Sequence, residues 1–219
     1  MSEKDDLRTY RGKRHFDRTS EPRGESTAED GARTDDEPAF VVQIHDASSM
    51  HFDFRLEVDG VLKSWSVPKG PSTDPRDKRL AIPTEDHPLA YRDFEGVIPR
   101  GEYGGGTVIV WDRGTYRPTS HDKRNRPVPF GQALENGHAT FDLHGEKLHG
   151  QYALTRFHGR EEQEGTGRKP TWLLVRTGSA HGARGGTPDP RRARSVRSGR
   201  TLRQLAEAPD AETWDPERR

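Results

Sequence analysis

Period-two alternation of hydrophobic and polar residues is sharpest in the stretch MHFDFRLEVDGVLKSWSV, residues 50–67. Counted from His51, the side chains of Phe52, Phe54, Leu56 and Val58 fall on one face, and those of His51, Asp53, Arg55 and Glu57 on the other. Asp59-Gly60 supplies the two positive-φ positions of a type I′ turn, so Val61 to Val67 is predicted to fold back as the second strand of a hairpin. A two-residue loop sets Arg55 opposite Ser64, Asp53 opposite Ser66, Phe54 opposite Trp65 and Phe52 opposite Val67. The strand-like run FVVQIH precedes the hairpin and ends at His45, and a five-residue loop separates it from His51.

Further along, RLAI (Arg79 to Ile82) is a short strand candidate, and TWLLVRT is the last strand. Between them, FEGVIPRGEYGGG is irregular, closely approached backbone, read as a tight barrel corner rather than an anion-binding nest. TVIVWDRGTYRP reads as a hairpin turning at Asp112 to Gly114, and Phe130 to Glu135 as one helical turn stopped by Asn136-Gly137. HATFDLHGEKLHGQYALTRF holds two more strands, and GREEQEGTGRKP is a charged excursion between strands. Thr201 is positioned as the N-cap of a short helix. Seven or eight short strands with little helix predict an antiparallel all-β barrel or sandwich.

Composition limits how much of the chain belongs to that core. Hydrophobic residues are 28% and charged residues 33% of 219, with a mean hydropathy of −1.09, too polar for every segment to be packed. The expected division is a flexible N-terminal arm at 1–38, a barrel domain at 39–178, and a basic low-complexity tail with a short helix at 179–219. Within the tail, RRARSVRSGR reads as a solvated linker or as a grip for phosphates. Lysine and arginine total 36, as do aspartate and glutamate, which counts against non-specific coating of DNA but not against a local basic groove. The absence of cysteine excludes disulfides, zinc fingers and thiol catalysis and fits a reducing cytoplasm. No signal peptide is visible in MSEKDDLRTYRGKRHF, and no run approaches the ~18 apolar residues of a membrane span. A soluble cytoplasmic protein with no membrane partner, and a monomer, is expected.

The polar face of the hairpin carries the candidate chemistry. His51, Asp53 and Arg55 stand about 7 Å apart along one strand, and His45 leaves the neighbouring strand towards them. Two imidazoles and a carboxylate form a facial set that divalent first-row metals accept, and Arg55 beside them suits a phosphate or carboxylate. The alternative is the ordinary exposed face of an edge hairpin. Lys69 is a candidate phosphate contact in the Pro68–Pro75 loop. His87 follows Glu85 and Asp86, which would raise its pKa and make it a general acid, or it is a surface loop residue. His138, His144 and His149 read as surface or turn histidines.

HDASSMHFDFRLEVDGVLKSWSVPKGPS, followed by EDHPLAYRDFEGVIPRGEYGGGTVIVWDRGTY, resembles the phosphoesterase module of bacterial DNA ligase D. The resemblance implies a small barrel with a groove across one side and a manganese-dependent enzyme that heals DNA 3′ ends, removing a terminal ribonucleoside and a 3′-phosphate. It implies that His45, His51 and Asp53 ligate one Mn²⁺ and that Arg55 binds the scissile phosphate. His87 would stabilise or protonate the phosphorane, while Gln43, Lys69, Arg79, Glu85 and Tyr91 line the pocket. YRGKRHFDRTSEP resembles the segment preceding the barrel in this family, which assists ribonucleoside removal. Arg14 and Glu21 match it, whereas His15 stands where the family usually has Asp. The implied substrates are DNA or RNA/DNA primer–template 3′ ends, with any ATP-dependent ligase, polymerase or Ku-like end-binding protein acting in trans. Two rivals remain at this stage. A non-haem Fe(II) oxygenase would share the H-x-D pair but recruit a downstream histidine such as His138 or His144. A non-catalytic nucleic-acid-binding barrel would keep the fold without turnover.

Overall fold

A computed structural model describes residues 7–24, 37–157, 170–178 and 186–208. Their strands are β1 Ala39–Asp46, β2 Met50–Val58, β3 Val61–Val67, β4 Arg79–Pro83, β5 Gly96–Ile98, β6 Gly106–Pro118, β7 His138–Gly145, β8 His149–Phe157 and β9 Thr171–Arg176. Three short helices accompany them: α1 Arg8–Gly12, α2 Phe130–Glu135 and α3 Leu202–Ala206. All pairings are antiparallel, in the order β1-β2-β3-β4-β9-β8-β7-β6, and β6 returns to β1 to close an eight-stranded barrel. The short β5 adds to the first residues of β6. Closure leaves no free edge on the main sheet, which is how a small all-β domain avoids open-ended pairing.

The β2–β3 hairpin has the register that its turn dictates. Arg55 pairs with Ser64, Asp53 with Ser66, Phe54 with Trp65 and Phe52 with Val67. Asp59 and Gly60 have φ of 49° and 83°, the two positive values a type I′ turn needs. β1 and β2 run closer together than the sequence suggests: Asp46 pairs with Met50, so only residues 47–49 form the loop. The even-numbered residues Phe40, Val42, Ile44, Phe52, Phe54, Leu56 and Val58 fill the barrel interior with Trp111, Phe141 and Tyr152. Phe141 sits at its centre, its ring 6.0 Å from Phe54 and 5.1–6.4 Å being the spacing of the neighbouring aromatic pairs around Tyr116 and Tyr152.

The opposite face of this wall is also covered. Val41, Leu62, Val108 and Val110 pack outside the barrel against Tyr10, Tyr91, Phe94 and Ile98. Tyr91 lies in the 3₁₀ turn Leu89–Asp93, and Tyr10 on α1. β1, β2, β3 and β6 are therefore buried on both faces, and their polar row sits in a floor beneath the N-terminal arm and the 84–106 segment.

Several sequence expectations are corrected. TVIVWDRGTYRP is not a hairpin, because β6 runs unbroken through Asp112 and Gly114. A bulge opposite Val42/Gln43 absorbs the local irregularity, and the buried Asp112 carboxylate accepts the backbone N–H groups of Lys147 and Leu148, fixing the β7–β8 turn. The described part of the N-terminal arm is not flexible, since Tyr10 is fully buried and Arg14 and Glu21 are ion-paired at 2.8 Å. RRARSVRSGR is not a solvated linker. Ala193 and Ser195 face inward between exposed arginines, Val196 N–H donates to the Val110 carbonyl, and Ser195 Oγ donates to Glu95 at 2.5 Å. Leu202 and Leu205 of α3 complete the interior, and Thr201 caps that helix reciprocally with Gln204. The charged excursion lies outside the described residues except for Pro170, as do residues 1–6 and 25–36 of the expected N-terminal arm.

Glu95 joins the C-terminal segment to the barrel wall, because its Oε2 also accepts the Val110 N–H. Glu95→Ala leaves a buried N–H and a buried hydroxyl without their acceptor. It is expected to cost about 2–3 kcal/mol in denaturant unfolding and to accelerate proteolysis within residues 186–208.

Candidate metal centre and phosphate pocket

The cross-strand pair His45↔His51 and the pair Gln43↔Asp53 place three ligand-type groups on the outer face of β1 and β2. His45 Nδ1 lies 3.7 Å from Asp53 Oδ2, and His51 Nε2 lies 3.6 Å from Asp53 Oδ1. The three donor atoms lie within 4.8 Å of one another. The outer ring nitrogens fix the tautomers. His45 Nε2 is 2.7 Å from the Gly104 carbonyl, and His51 Nδ1 is 2.8 Å from the Ser49 carbonyl. A carbonyl oxygen only accepts, so each ring N–H points outward and each remaining lone pair faces the carboxylate. Lone pairs and a carboxylate converging on one point repel unless a cation lies between them, so these residues fit a divalent metal.

Asp53 is held ionised. Burial opposes its charge, but the Arg55 guanidinium 3.1 Å away keeps the carboxyl well below the ordinary carboxylate range. Arg55 is almost fully buried and fixed from three sides. Its Nε donates to Gln43 Oε1 at 2.9 Å, Nη1 to Ser64 Oγ at 2.9 Å, and Nη2 to Asp53 Oδ2 at 3.1 Å. Gln43 is held in turn through its Nε2, which donates to the carbonyls of Tyr91 and Phe94. A further contact runs from Nη1 to His87 Nδ1 at 2.9 Å, and the guanidinium forms part of the cavity lining.

His87, Glu85, Tyr91, Arg14 and Glu21 close around Arg55 in a cavity of about 230 Å³ that also takes in His45, His51 and Asp53. Arg14 bridges the carboxylates of Glu21 at 2.8 Å and Glu85 at 3.1 Å, and lies over the Tyr10 ring at 3.8 Å. The Tyr91 hydroxyl donates to Glu21 at 3.0 Å. Lys13 and Tyr103 reach Glu85 from the rim. Lys13, Tyr103 and the supporting Ser64 were not singled out from sequence. The register placed Ser64 opposite Arg55, which is the signal that finds it; nothing local marks the other two.

Three expectations change here. Lys69 is exposed in the turn after β3, and Arg79 pairs with Asp77 at 2.7 Å on the far part of β4, so neither lines the cavity. Both sit beyond the two-sided wall that gathers the other groups. His15 also stays outside the cavity, its side chain 68% exposed and 2.9 Å from Glu102. The carboxylates preceding His87 do not raise its pKa. Glu85 turns to Lys13 and Arg14, and Asp86 to Lys63. Burial, followed by Arg55 and Arg14, pushes the imidazole well below its ordinary 6.5. Its Nδ1 lies 2.9 Å from both the Glu85 carbonyl and Arg55 Nη1, and its Nε2 lies 3.3 Å from Arg14 Nη2. His138 and His144 lie on β7, bound to Thr155 and Glu37, apart from the His45–His51–Asp53 group.

These features define a class: a closed antiparallel barrel carrying a metal-competent His-His-Asp group and an arginine-lined cavity on the outer side of its wall. Residues 43–156 match the family model for the DNA ligase D 3′-phosphoesterase domain, and the chain belongs to that family. It is 48% identical over 170 residues to the multifunctional non-homologous end joining protein LigD of Pseudomonas aeruginosa, covering 78% of this chain and 18% of that protein. Against the corresponding DNA repair protein of Mycobacterium tuberculosis, identity is 44% over 155 residues, covering 71% of this chain and 19% of that one. The LigD of Mycolicibacterium smegmatis is 40% identical over 157 residues, or 71% and 20%. The chain thus spans about a fifth of the length of these relatives. No helix among the described residues is long and apolar enough to cross a membrane.

The His87 environment has a measurable consequence. Its folded pKa is depressed, so below about pH 6.5 the unfolded chain binds more protons than the folded one. This contribution to stability is fully present above that pH and is lost as pH falls below it. In metal-free protein, His87→Gln is expected to flatten the decline of unfolding free energy between pH 6.5 and 5, read by urea titration.

Proposed function

We propose that this protein is a divalent-metal-dependent DNA 3′-phosphoesterase acting on primer ends in DNA end joining. It would remove a 3′-terminal ribonucleoside and a 3′-phosphate to leave a 3′-hydroxyl. The observation that carries the reading is the convergence of His45, His51 and Asp53 with Arg55 in one cavity. When bound, a divalent cation, Mn²⁺ by family resemblance, would neutralise the non-bridging phosphate oxygens and lower the pKa of an attacking water or 2′-hydroxyl.

The protein's own groups do the rest. Arg55 lines the cavity where a phosphate oxygen would sit, while Gln43, Ser64, Asp53 and His87 hold its plane. Arg14 is the second cation of the pocket, and Glu21 and Glu85 fix its direction. His87, whose Nδ1 is 2.9 Å from Arg55 Nη1 and whose Nε2 is 3.3 Å from Arg14 Nη2, would keep the two guanidinium groups side by side over one anion and stabilise the phosphorane. Tyr10 and Tyr91 exclude water from the inner wall. Lys69 and Arg79 fall outside the inner pocket. In the monoester reaction a water oxygen bonds to phosphorus as the bond to O3′ breaks, and O3′ takes up a proton. Within the division at residues 39 and 178, the catalytic unit is then the barrel together with the docked N-terminal arm. A ligase, polymerase or end-binding protein would act beside this chain, and the reading treats the chain as a monomer in the cytoplasm.

The iron-oxygenase alternative loses its downstream histidine, since His138 and His144 lie elsewhere on β7. The deciding experiment incubates the protein with Mn²⁺ and two labelled primers, one ending in a 3′-phosphate and one in a single ribonucleotide. Wild-type protein releases phosphate and ribonucleoside without any co-substrate. His51→Ala loses both activities by about three orders of magnitude or more and loses Mn²⁺ binding by calorimetry. Unaltered primer ends with every divalent metal, despite DNA binding, would establish the non-catalytic barrel instead.

A second expectation separates metal binding from phosphate binding. Arg14→Ala removes a pocket cation while leaving the His-His-Asp group intact. Its Mn²⁺ affinity should stay within about threefold of wild type while kcat/KM for both primers drops by roughly 10²-fold, the scale for losing one charged transition-state contact.

A further inference from the structure

The chain as a whole carries no net charge, yet residues 186–208 hold six arginines and two acidic residues. This segment is fixed to the barrel, not free. Ala193, Ser195, Leu202 and Leu205 are buried, the Ser195 hydroxyl and Val196 N–H bond to Glu95 and β6, and Lys147 Nζ donates to the Arg194 carbonyl. The inward small and apolar positions leave Arg191, Arg192, Arg194 and Arg203 exposed on the outer side.

Those four arginines line one side of a groove of about 780 Å³ whose other side is Asp46, Met50 and Thr107. A second hollow, of about 810 Å³, shares Asp46, Thr107 and Ala206 with it and adds Arg100 and the glycines of the 101–106 loop. That hollow shares Ala47, Ile98 and Gly104 with the metal-site cavity. The three spaces therefore follow one another along the surface, from the His-His-Asp group, over the glycine loop, to the arginine row. Glycine backbone in the middle section lets a chain approach closely, with no side chain at Gly104 or Gly105 to obstruct it. The acidic residues along the path are Asp46 and Glu102, and Glu102 is occupied by His15 and Arg18.

From this continuity we infer that the C-terminal segment is a nucleic-acid-binding surface. Arg191, Arg192, Arg194 and Arg203, with Arg100 midway, grip the phosphodiester backbone of the substrate behind its 3′ end and hold the terminus over the metal site. The inference rests on the proposed phosphoesterase reading for what sits at the terminus, but the arginine row is a polyanion site in its own right. Arg194 is already tied to the Gly199 carbonyl and Gln204 Oε1, which makes it the most fixed member of the row. Contacts of this kind read charge and spacing, not base sequence, so binding should be sequence-independent and steeply salt-dependent.

The test measures binding of the whole chain to a fluorescent primer–template duplex by anisotropy, without metal, across a salt series. The triple variant R191A/R192A/R203A should bind at least tenfold more weakly at low salt. Its log Kd against log salt slope should be shallower by about two to three, one unit for each lost phosphate contact. The lysine triple R191K/R192K/R203K should keep most of the slope, which a merely structural role of the segment would not produce. In turnover, the alanine triple should lose kcat/KM on the duplex far more than on a dinucleotide 3′-phosphate too short to reach the row. Equal affinity and slope for wild type and the alanine triple would overturn the inference, as would an equal loss on both substrates. Arginine-dependent DNA binding by a wild-type chain that releases nothing from any 3′ end would support this surface and sink only the reaction.

Discussion

A buried guanidinium organises the molecule. Arg55 leaves β2 on the outer face of the barrel, where almost no water reaches it, and a charge in that position is costly unless every neighbour answers it. The neighbours do: Gln43 comes from β1, Asp53 from β2 itself, Ser64 from β3, and the Tyr91 ring lies 4.9 Å from the guanidinium carbon. Asp53 answers Arg55 and is thereby kept ionised between two imidazoles. The metal-competent group and the cation-lined cavity beside it are two consequences of compensating one charge. Removing any compensator leaves Arg55 or Asp53 buried without its partner, so the site and the wall share their stability.

Burial on the outer face is what gives the network its strength. In an open barrel the odd-numbered residues of β1 and β2 would face water, and their ion pairs would be screened to little value. Here the N-terminal arm and the 84–106 segment cover them, through Tyr10, Tyr91, Phe94 and Ile98. The cover is itself charged where it meets the floor, because Arg14 enters between Glu21 and Glu85. Two arginines thus stand beside one buried histidine. Their mutual repulsion is relieved by Asp53, Glu21 and Glu85, and would be relieved further by an incoming phosphate. A site with this balance favours a dianionic ligand without having to reorganise.

Much of this was legible in the residues. The turn chemistry of Asp59-Gly60 fixed the hairpin register pair by pair, and period two put His51, Asp53 and Arg55 on one face. The helical turn at Phe130–Glu135 and the Thr201 cap followed from local signals as well. What failed did so because local signals lack tertiary context. Asp112 and Gly114 look like a turn, but Asp112 spends its carboxylate on a different turn, 35 residues away, and β6 continues. Glu85 and Asp86 look like neighbours that raise the His87 pKa, but both side chains leave for lysine and arginine partners that sequence proximity does not reveal. RRARSVRSGR looks like a solvated tract, because Ala193 and Ser195 are too small to register as a buried stripe.

That last case bears on how a neutral chain handles a polyanion. Balanced overall charge excludes a protein that coats DNA everywhere, and it leaves open one that concentrates positive charge along a single path. Acidic residues elsewhere are absorbed in pairs, such as Arg117–Asp142, Arg126–Asp122 and His144–Glu37. The arginines of the docked C-terminal segment are displayed on a backbone that Glu95, Ser195, Leu202 and Leu205 hold in place. Fixing the backbone lowers the ordering entropy of a phosphate grip, which a floppy tail of the same composition would pay in full on binding. The inward-facing small residues that made the tract look featureless are therefore what allows its arginines to act as a surface.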